Sequence, residues 1–112
     1  MKYHNKTKVV DGIKFQSINE ANRYVVLKTL EEVGKITDLK LQVPFELIPR
    51  FKKNGKTYRK CVYIADFTYF DSDGRYIVED AKSVATRKDK TYRLKKKLFE
   101  YTYQGLEIKE VL

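Results

Sequence analysis

The fold is decided by residues 58–84, which read YRKCVYIADFTYFDSDGRYIVEDAKSV. Aromatic and β-branched residues predominate on both sides of 71–74 (DSDG), a run of turn-forming residues. The pattern predicts two antiparallel strands, 58–70 and 76–84, joined by a tight hairpin. Because an antiparallel pair has a definite register, this segment also predicts which side chains lie opposite each other.

Charged side chains interrupt both of these apolar strands at Asp66, Asp80 and Lys82. A three-residue loop, 72–74, with Gly74 in the left-handed position places Asp66 directly opposite Asp80. Opposed side chains lie roughly 4.5–5.5 Å apart at Cβ, so the two carboxylates repel each other unless a cation lies between them. Lys82 projects from the same face as Asp80 by strand alternation. A two-residue loop would instead put the two acids on opposite faces.

Two carboxylates and a lysine on one face suit magnesium-assisted hydrolysis of a phosphodiester bond. The hard cation takes oxygen ligands, and the backbone carbonyl of Ala81 is a further candidate ligand. The ammonium group of Lys82 would orient the attacking water or offset charge in the transition state. The simpler alternative is that Asp66 is an exposed strand residue paired with Lys82.

A helix is predicted before these strands. The sequence Ser17-Ile18-Asn19-Glu20 matches the capping box that opens a helix, and Gly34 is a typical C-terminal stop. We therefore predict a helix over 18–33, following a short extended segment, 9–16, with a turn at 11–12. Its predicted buried stripe consists of Ile18, Ala21, Val25, Leu30 and Val33.

The remaining pattern predicts a single α/β (α+β) domain. Residues 36–49 alternate as a strand, and Pro44 favours an edge position. A second helix is predicted over 89–104 and a last strand over 106–111, so the element order is α, β, β, β, α, β. The length of 112 residues suits one domain, and 42% hydrophobic residues suit a folded one.

Charge and composition narrow the partners. There are 24 Lys and Arg against 15 Asp and Glu, a net charge of +9, which indicates a polyanionic partner such as nucleic acid. No apolar run has the roughly 18 residues of a membrane span, and the N-terminus lacks a secretory signal, so we expect a soluble cytoplasmic protein. The single cysteine, Cys61, excludes an internal disulfide and a zinc finger.

The basic residues are clustered in two segments. Residues 50–60 contain six basic and no acidic residues around an Asn54-Gly55 turn, and residues 81–97 contain eight basic and one acidic residue. Both segments predict phosphate contacts that weaken steeply with salt, although such charges are also typical of a solvated surface. The candidate DNA-binding residues are Arg50, Lys52, Lys53, Lys56, Lys88, Lys90, Tyr92, Arg93, Lys95 and Lys96.

The order of these residues resembles a known superfamily. Asp66, followed by Asp80-Ala81-Lys82 at the end of the next strand and preceded by a helical Glu20, resembles the PD-(D/E)XK nucleases, whose core is likewise α-β-β-β-α-β. Residues 63–69 and 78–82 are similar to small phage nucleases related to Holliday junction resolvases, and the similarity spans about 13–110. One departure is Ala65, where the superfamily motif is named for proline.

The resemblance implies a restriction-endonuclease-like core, with a mixed central sheet flanked by helices. It also implies that Glu20, Asp66 and Asp80 are metal ligands and that Lys82 is the catalytic lysine. Tyr92 and Lys95 would contact the DNA backbone near the scissile bond. For Glu20 the alternative is a purely local role in the capping box.

The implied function is a Mg²⁺- or Mn²⁺-dependent endonuclease acting on branched DNA, in the first place a Holliday junction resolvase of phage recombination or packaging. Such a protein would act in the cytoplasm of the host cell. Resolution requires paired cuts, so we expect a homodimer, with the first helix or the aromatic residues of the second helix as candidate contacts. The alternatives are a nicking or flap nuclease and a non-catalytic DNA-binding accessory protein.

Overall fold

The computed structural model describes residues 6–82 and 84–111. In chain order the elements are β1 (Lys8–Val10), β2 (Ile13–Phe15), α1 (Ile18–Glu32), β3 (Thr37–Ile48), β4 (Phe51–Lys53), β5 (Lys56–Tyr58), β6 (Cys61–Phe70), β7 (Tyr76–Ala81), α2 (Val84–Arg87), α3 (Lys90–Thr102) and β8 (Ile108–Val111). Two of the strand pairs, β1–β2 and β4–β5, are small separate hairpins.

The central sheet has the strand order β3-β6-β7-β8. The pairs β3–β6 and β6–β7 are antiparallel, whereas β8 runs parallel to β7 after the crossover through α3. The predicted α+β class, the mixed sheet and the order of the main elements are therefore confirmed. Pro44 lies in β3 at the sheet edge, where a missing N–H donor is tolerated. The predicted strand 76–84 is too long, because α2 begins at Val84.

The hairpin between β6 and β7 has the predicted register. Phe67 pairs with Glu79 and Phe70 with Tyr76. The turn is closed by the Asp71 N–H, which donates to the Arg75 carbonyl at 2.9 Å. Gly74 has φ 78°, as the three-residue loop requires. The paired residues end at Phe67 and Glu79, and Asp66 and Asp80 are the next residues of the two strands.

The N-cap predicted for α1 at Ser17 is confirmed. The Ser17 Oγ accepts a hydrogen bond from the Glu20 N–H at 3.1 Å, and the helix begins at Ile18. The N-cap therefore sets the rotation of the first turn and, with it, the direction of the Glu20 side chain, which is buried.

The buried stripe predicted for α1 is wrong at three positions. Ile18, Val25 and Val33 are exposed, whereas the buried residues are Glu20, Ala21, Tyr24 and Leu27. The polar members of this face have partners inside the domain; for example, the Tyr24 hydroxyl donates to Asp11 at 3.0 Å. The pattern of hydrophobic residues predicted the wrong buried face of α1. Tertiary contacts, which the local pattern does not show, make the burial of these polar groups favourable.

Two hydrophobic cores lie on opposite faces of the sheet. On one face α1 packs against Phe67 and Tyr69 of β6. On the other face α3 packs through Phe99 against Tyr63 of β6 and Val78 of β7. Within the described ranges, no helix is both long and apolar enough to cross a membrane.

Adjacent acids of β7 point into different cores. Glu79 is fully buried on the α1 side, where Arg23 donates to it from Nε at 2.6 Å and from Nη2 at 2.9 Å. The Tyr69 hydroxyl donates to the same carboxylate at 2.6 Å. Asp80, the next residue, faces the opposite side. Glu79 thus forms a structural ion pair with Arg23, on the opposite side of the sheet from Asp80.

Replacing Arg23 with leucine should destabilise the protein by about 3 kcal/mol, because it leaves the Glu79 carboxylate buried without its cation. Urea unfolding measures the loss. Arg75→Leu, in the exposed β6–β7 turn, is the control and should change stability by less than about 0.5 kcal/mol. The double variant Arg23→Leu/Glu79→Leu should recover most of the loss. Equal stability of Arg23→Leu and the control would contradict the assignment.

Candidate active site

The regular pairing of β3 and β6 is distorted at Asp66. Leu41 pairs with Phe67 and Val43 with Ala65, but Gln42 between them has a left-handed backbone with φ 53°. This conformation costs a non-glycine residue roughly 1–2 kcal/mol. The distortion lets Asp66 and Gln42 both line one cavity. Backbone strain of this kind is characteristic of functional sites.

Reciprocal hydrogen bonds hold Asp66 and Asp80 together. The Asp66 N–H donates to the Asp80 Oδ1 at 3.0 Å, and the Ala81 N–H donates to the Asp66 Oδ2 at 3.0 Å. The second oxygen of Asp80 accepts from the hydroxyl of Tyr63. The two carboxyl groups predicted to face each other therefore meet across β6 and β7.

The surroundings of Asp66 and Asp80 disfavour the ionised form of both carboxyl groups. Burial and the neighbouring charge of Asp66 raise the pKa of Asp80 to about 7. Burial and the Glu20 carboxylate raise the pKa of Asp66 to about 6. The Glu20 side chain thus reaches the Asp66 carboxyl group, in addition to its backbone role in the helix cap. A bound cation would reverse these shifts, because it stabilises the ionised acids.

Lys82 lies beside the acidic pair. Its Nζ is 3.8 Å from the Asp80 Oδ2 and 4.5 Å from the centre of the Tyr92 ring. Tyr92 itself is buried, and its hydroxyl donates to Glu110. The buried Tyr92 ring therefore packs against the Lys82 ammonium group. The prediction had instead placed Tyr92 on the surface as a DNA contact.

A cavity of about 250 Å³ opens at this point. Its walls include Glu20, Gln42, Asp66, Ala81 and Lys82. The fully buried Asp80 lies behind this wall. Four of the five predicted site residues thus line one concave surface, and the fifth is bonded to it.

The donor set suits a hard divalent cation. Glu20 and Asp66 carry carboxylate oxygens at the cavity, and Ala81 offers its backbone carbonyl, which are the ligand types that Mg²⁺ and Mn²⁺ prefer. Each oxygen of Asp80 accepts one hydrogen bond, which leaves each of them a second lone pair that can bind an ion. Within residues 6–82 and 84–111, no three metal-binding side chains already surround one point.

The other predicted DNA-binding residues lie mostly on the surface. Arg50, Lys52, Lys53 and Lys56 are exposed around the β4–β5 hairpin, and Lys88, Lys90 and Arg93 are exposed around the start of α3. Lys95 and Lys96 are half-buried, and the Lys96 Nζ lies 3.5 Å from Glu110. The two basic segments therefore form solvent-facing cationic surfaces in the described part of the chain.

Sequence reasoning missed Gln42 and Tyr63. Glutamine is not typical of left-handed backbone, so nothing in the local pattern singles out Gln42. Tyr63 looks like any aromatic strand residue, and its partner Asp80 lies 17 positions away. Only the paired strands bring these residues to the acidic pair.

Comparison with known proteins gives a family. A family model described as a protein of unknown function (DUF1064) matches residues 1–112. None of the curated proteins compared with the chain matches it. Because the family model covers the whole chain, the protein belongs to the DUF1064 family.

Proposed function

We propose that this protein is a Mg²⁺- or Mn²⁺-dependent endonuclease that hydrolyses phosphodiester bonds in branched DNA, with the Holliday junction as its first candidate substrate. The observation that carries the proposal is the meeting of Asp66 and Asp80 beside Lys82, with Glu20 against the same pair. The resemblance of these residues to the PD-(D/E)XK motif supports the same reading, including a restriction-endonuclease-like core.

Each residue has a chemical role in this proposal. A divalent ion, when bound, polarises the phosphoryl oxygen and lowers the pKa of a water molecule. Glu20, Asp66 and Asp80 would hold the ion, together with the carbonyl of Ala81. The Lys82 ammonium, placed between Asp80 and the Tyr92 ring, orients the attacking water or offsets charge that develops on the phosphate.

The charge distribution supports a DNA substrate. The chain carries +9, and its basic residues are concentrated on the β4–β5 hairpin and around α3. Such a surface contacts phosphates and carries little base-sequence information. Selectivity would therefore come from the shape of the DNA, and affinity should fall steeply as salt rises.

The proposal includes a homodimer, because resolution of a junction requires two cuts and one chain has one acidic cavity of this kind among its described residues. Candidate contacts are the exposed aliphatic residues of α1, and Tyr101 of α3, which is 75% exposed. Phe99 of α3 is fully buried and does not contribute. The exposed aliphatic residues of α1 are Ile18, Val25 and Val26. Because these side chains carry no charge, two strongly basic chains can approach there with least repulsion.

A fluorescent four-way junction incubated with the protein, with and without Mg²⁺ or Mn²⁺, tests the function. Paired symmetrical nicks support a resolvase. Single nicks, or cutting confined to flaps, support the alternative of a nicking or flap nuclease. Tight binding without cleavage under either ion supports a non-catalytic accessory protein and contradicts the proposal.

Replacing Gln42 with glycine should slow cleavage about tenfold while leaving stability unchanged or raised. Glycine adopts φ 53° without strain, so the substitution removes the amide side chain from the cavity wall and keeps the backbone. Single-turnover cleavage and thermal unfolding provide the two readouts. Asp38→Gly is the matched control, because Asp38 has φ 56° in the same strand but does not line the cavity. Equal cleavage rates for the two variants would show that the Gln42 side chain has no role.

A further inference from the structure

The β4–β5 hairpin stands out from the rest of the domain by its exposure. Every residue from 49 to 60 is exposed. The strands are joined by Asn54 and Gly55, with φ 51° and 76°, the two left-handed positions of a tight hairpin turn. The hairpin is therefore a regular, twisted projection whose two faces are both open to a partner.

One face of this hairpin combines aromatic rings with lysines. Phe51 pairs with Tyr58 and Lys53 with Lys56, and strand alternation places all four side chains on the same face. The Phe51 and Tyr58 rings are stacked with centroids 4.8 Å apart and an angle of 10° between their planes. The Lys56 Nζ lies 5.2 Å from the centre of the Tyr58 ring.

Two features of this face indicate an anionic ligand. Directly opposed like charges destabilise a strand pair, and an anion between Lys53 and Lys56 would relieve the repulsion. Segment 50–60 contains six basic residues and no acidic residue to supply that anion internally.

The aromatic pair is also more exposed than a purely structural contact needs. Phe51 is 43% and Tyr58 40% exposed. Their mutual stacking stabilises a short hairpin, which is marginal by itself. It does not account for the surrounding lysines, whereas a ligand with both a flat apolar part and a negative charge would use both features.

We propose that this hairpin face binds unpaired nucleotides, with a base stacked on the Phe51–Tyr58 pair and the flanking phosphates on Lys53 and Lys56. Alternating aromatic and cationic side chains are the usual means of binding single strands. An intact duplex hides its base faces, so it would contact the hairpin through phosphates alone. The inference rests on the proposed function, for which the hairpin supplies recognition of unpaired nucleotides at a branch point.

The hairpin and the acidic cavity are within reach of one DNA molecule. Tyr58 and Asp66 are eight residues apart in the chain, which allows a separation of at most about 29 Å. This distance corresponds to about eight nucleotides of stacked DNA at ~3.4 Å each. A strand of about eight nucleotides is therefore long enough to span from the hairpin to the cavity.

Fluorescence anisotropy in EDTA tests the proposal with two probes, an oligo(dT) single strand of about 15 nucleotides and a duplex of the same length. Phe51→Leu/Tyr58→Leu keeps an apolar pair but removes the aromatic faces. We expect it to weaken single-strand binding about tenfold and duplex binding less than twofold. Lys53→Gln/Lys56→Gln should weaken both and flatten their salt dependence.

Two controls separate stacking from loss of structure. Tyr58→Phe retains the aromatic face and should bind the single strand as the wild type does. Phe70→Leu removes an aromatic residue of similar exposure from the other end of β6 and should have no effect. Circular dichroism checks that each variant is folded.

The proposal is overturned if the leucine variant loses affinity for both probes equally, or for neither. It is also overturned if Tyr58→Phe binds as weakly as the leucine variant. Because EDTA prevents metal-dependent cleavage, these outcomes leave the endonuclease proposal standing. Conversely, a wild-type protein that prefers single strands but never cuts a junction with either ion contradicts the endonuclease proposal alone.

Discussion

Asp80→Asn should slow junction cleavage roughly a thousandfold or more, because it removes a charged ligand from the reaction centre. DNA binding should remain intact or become tighter, since a carboxylate that repels phosphate is lost. Asparagine fits the local hydrogen bonds: its oxygen accepts from the Asp66 N–H, and its NH₂ group donates to the Tyr63 hydroxyl. It therefore tests charge more cleanly than alanine, which would leave buried donors without partners.

Single-turnover cleavage of a labelled junction at saturating Mg²⁺ measures the chemical step, and anisotropy in EDTA measures binding. Asp73→Asn is the matched control, because Asp73 is an exposed carboxylate in the turn of the same hairpin. The control should cut at the wild-type rate. If Asp80→Asn also cuts as fast as the wild type, the site assignment is wrong.

The second large effect is on stability without metal. The pKa of Asp66 is raised to about 6 and that of Asp80 to about 7, both from an ordinary value of 3.8. A raised folded-state pKa stabilises the protonated native protein below about pH 4, and this contribution is lost as the pH rises to and through 6–7. Burial is the largest cause of both shifts, and Asp80 is also coupled to the charge of Asp66, so we expect a combined loss of about 3 kcal/mol by pH 8.

Urea unfolding in EDTA at pH 5 and pH 8 measures this loss. The pH dependence of a single protein sums the contributions of all its titratable groups. The diagnostic quantity is therefore the difference between the wild type and Asp80→Asn, whose stability should depend less on pH. Identical pH dependence in the two proteins would contradict the coupling.

Mn²⁺ or Mg²⁺ should restore stability at pH 8, because an ion between the acids binds only the folded protein. The midpoint of thermal unfolding should rise as the ion concentration increases, and the rise should be smaller in Asp80→Asn. Ca²⁺, which also takes oxygen ligands, should stabilise as well. A midpoint that no divalent ion changes would contradict the proposed metal site.

Much of the candidate site follows from the local sequence. The loop 72–74 with Gly74 sets the register of β6 and β7, so that Asp66 and Asp80 lie next to the paired residues Phe67 and Glu79. Ser17 caps α1 and directs Glu20, because the cap bond sets the rotation of the first turn. These features depend on residues a few positions apart, which is why pattern and spacing were sufficient.

The sequence by itself therefore determined the order of the main elements, the proximity of the two acids and the basic segments. Only the tertiary structure decided which face of α1 is buried, that Tyr92 lies behind Lys82, and that Gln42 adopts a left-handed backbone beside Asp66. The physical reason is the range of the interactions. Caps, turns and strand alternation act between near neighbours in the chain, whereas burial and strain depend on distant segments that folding brings together.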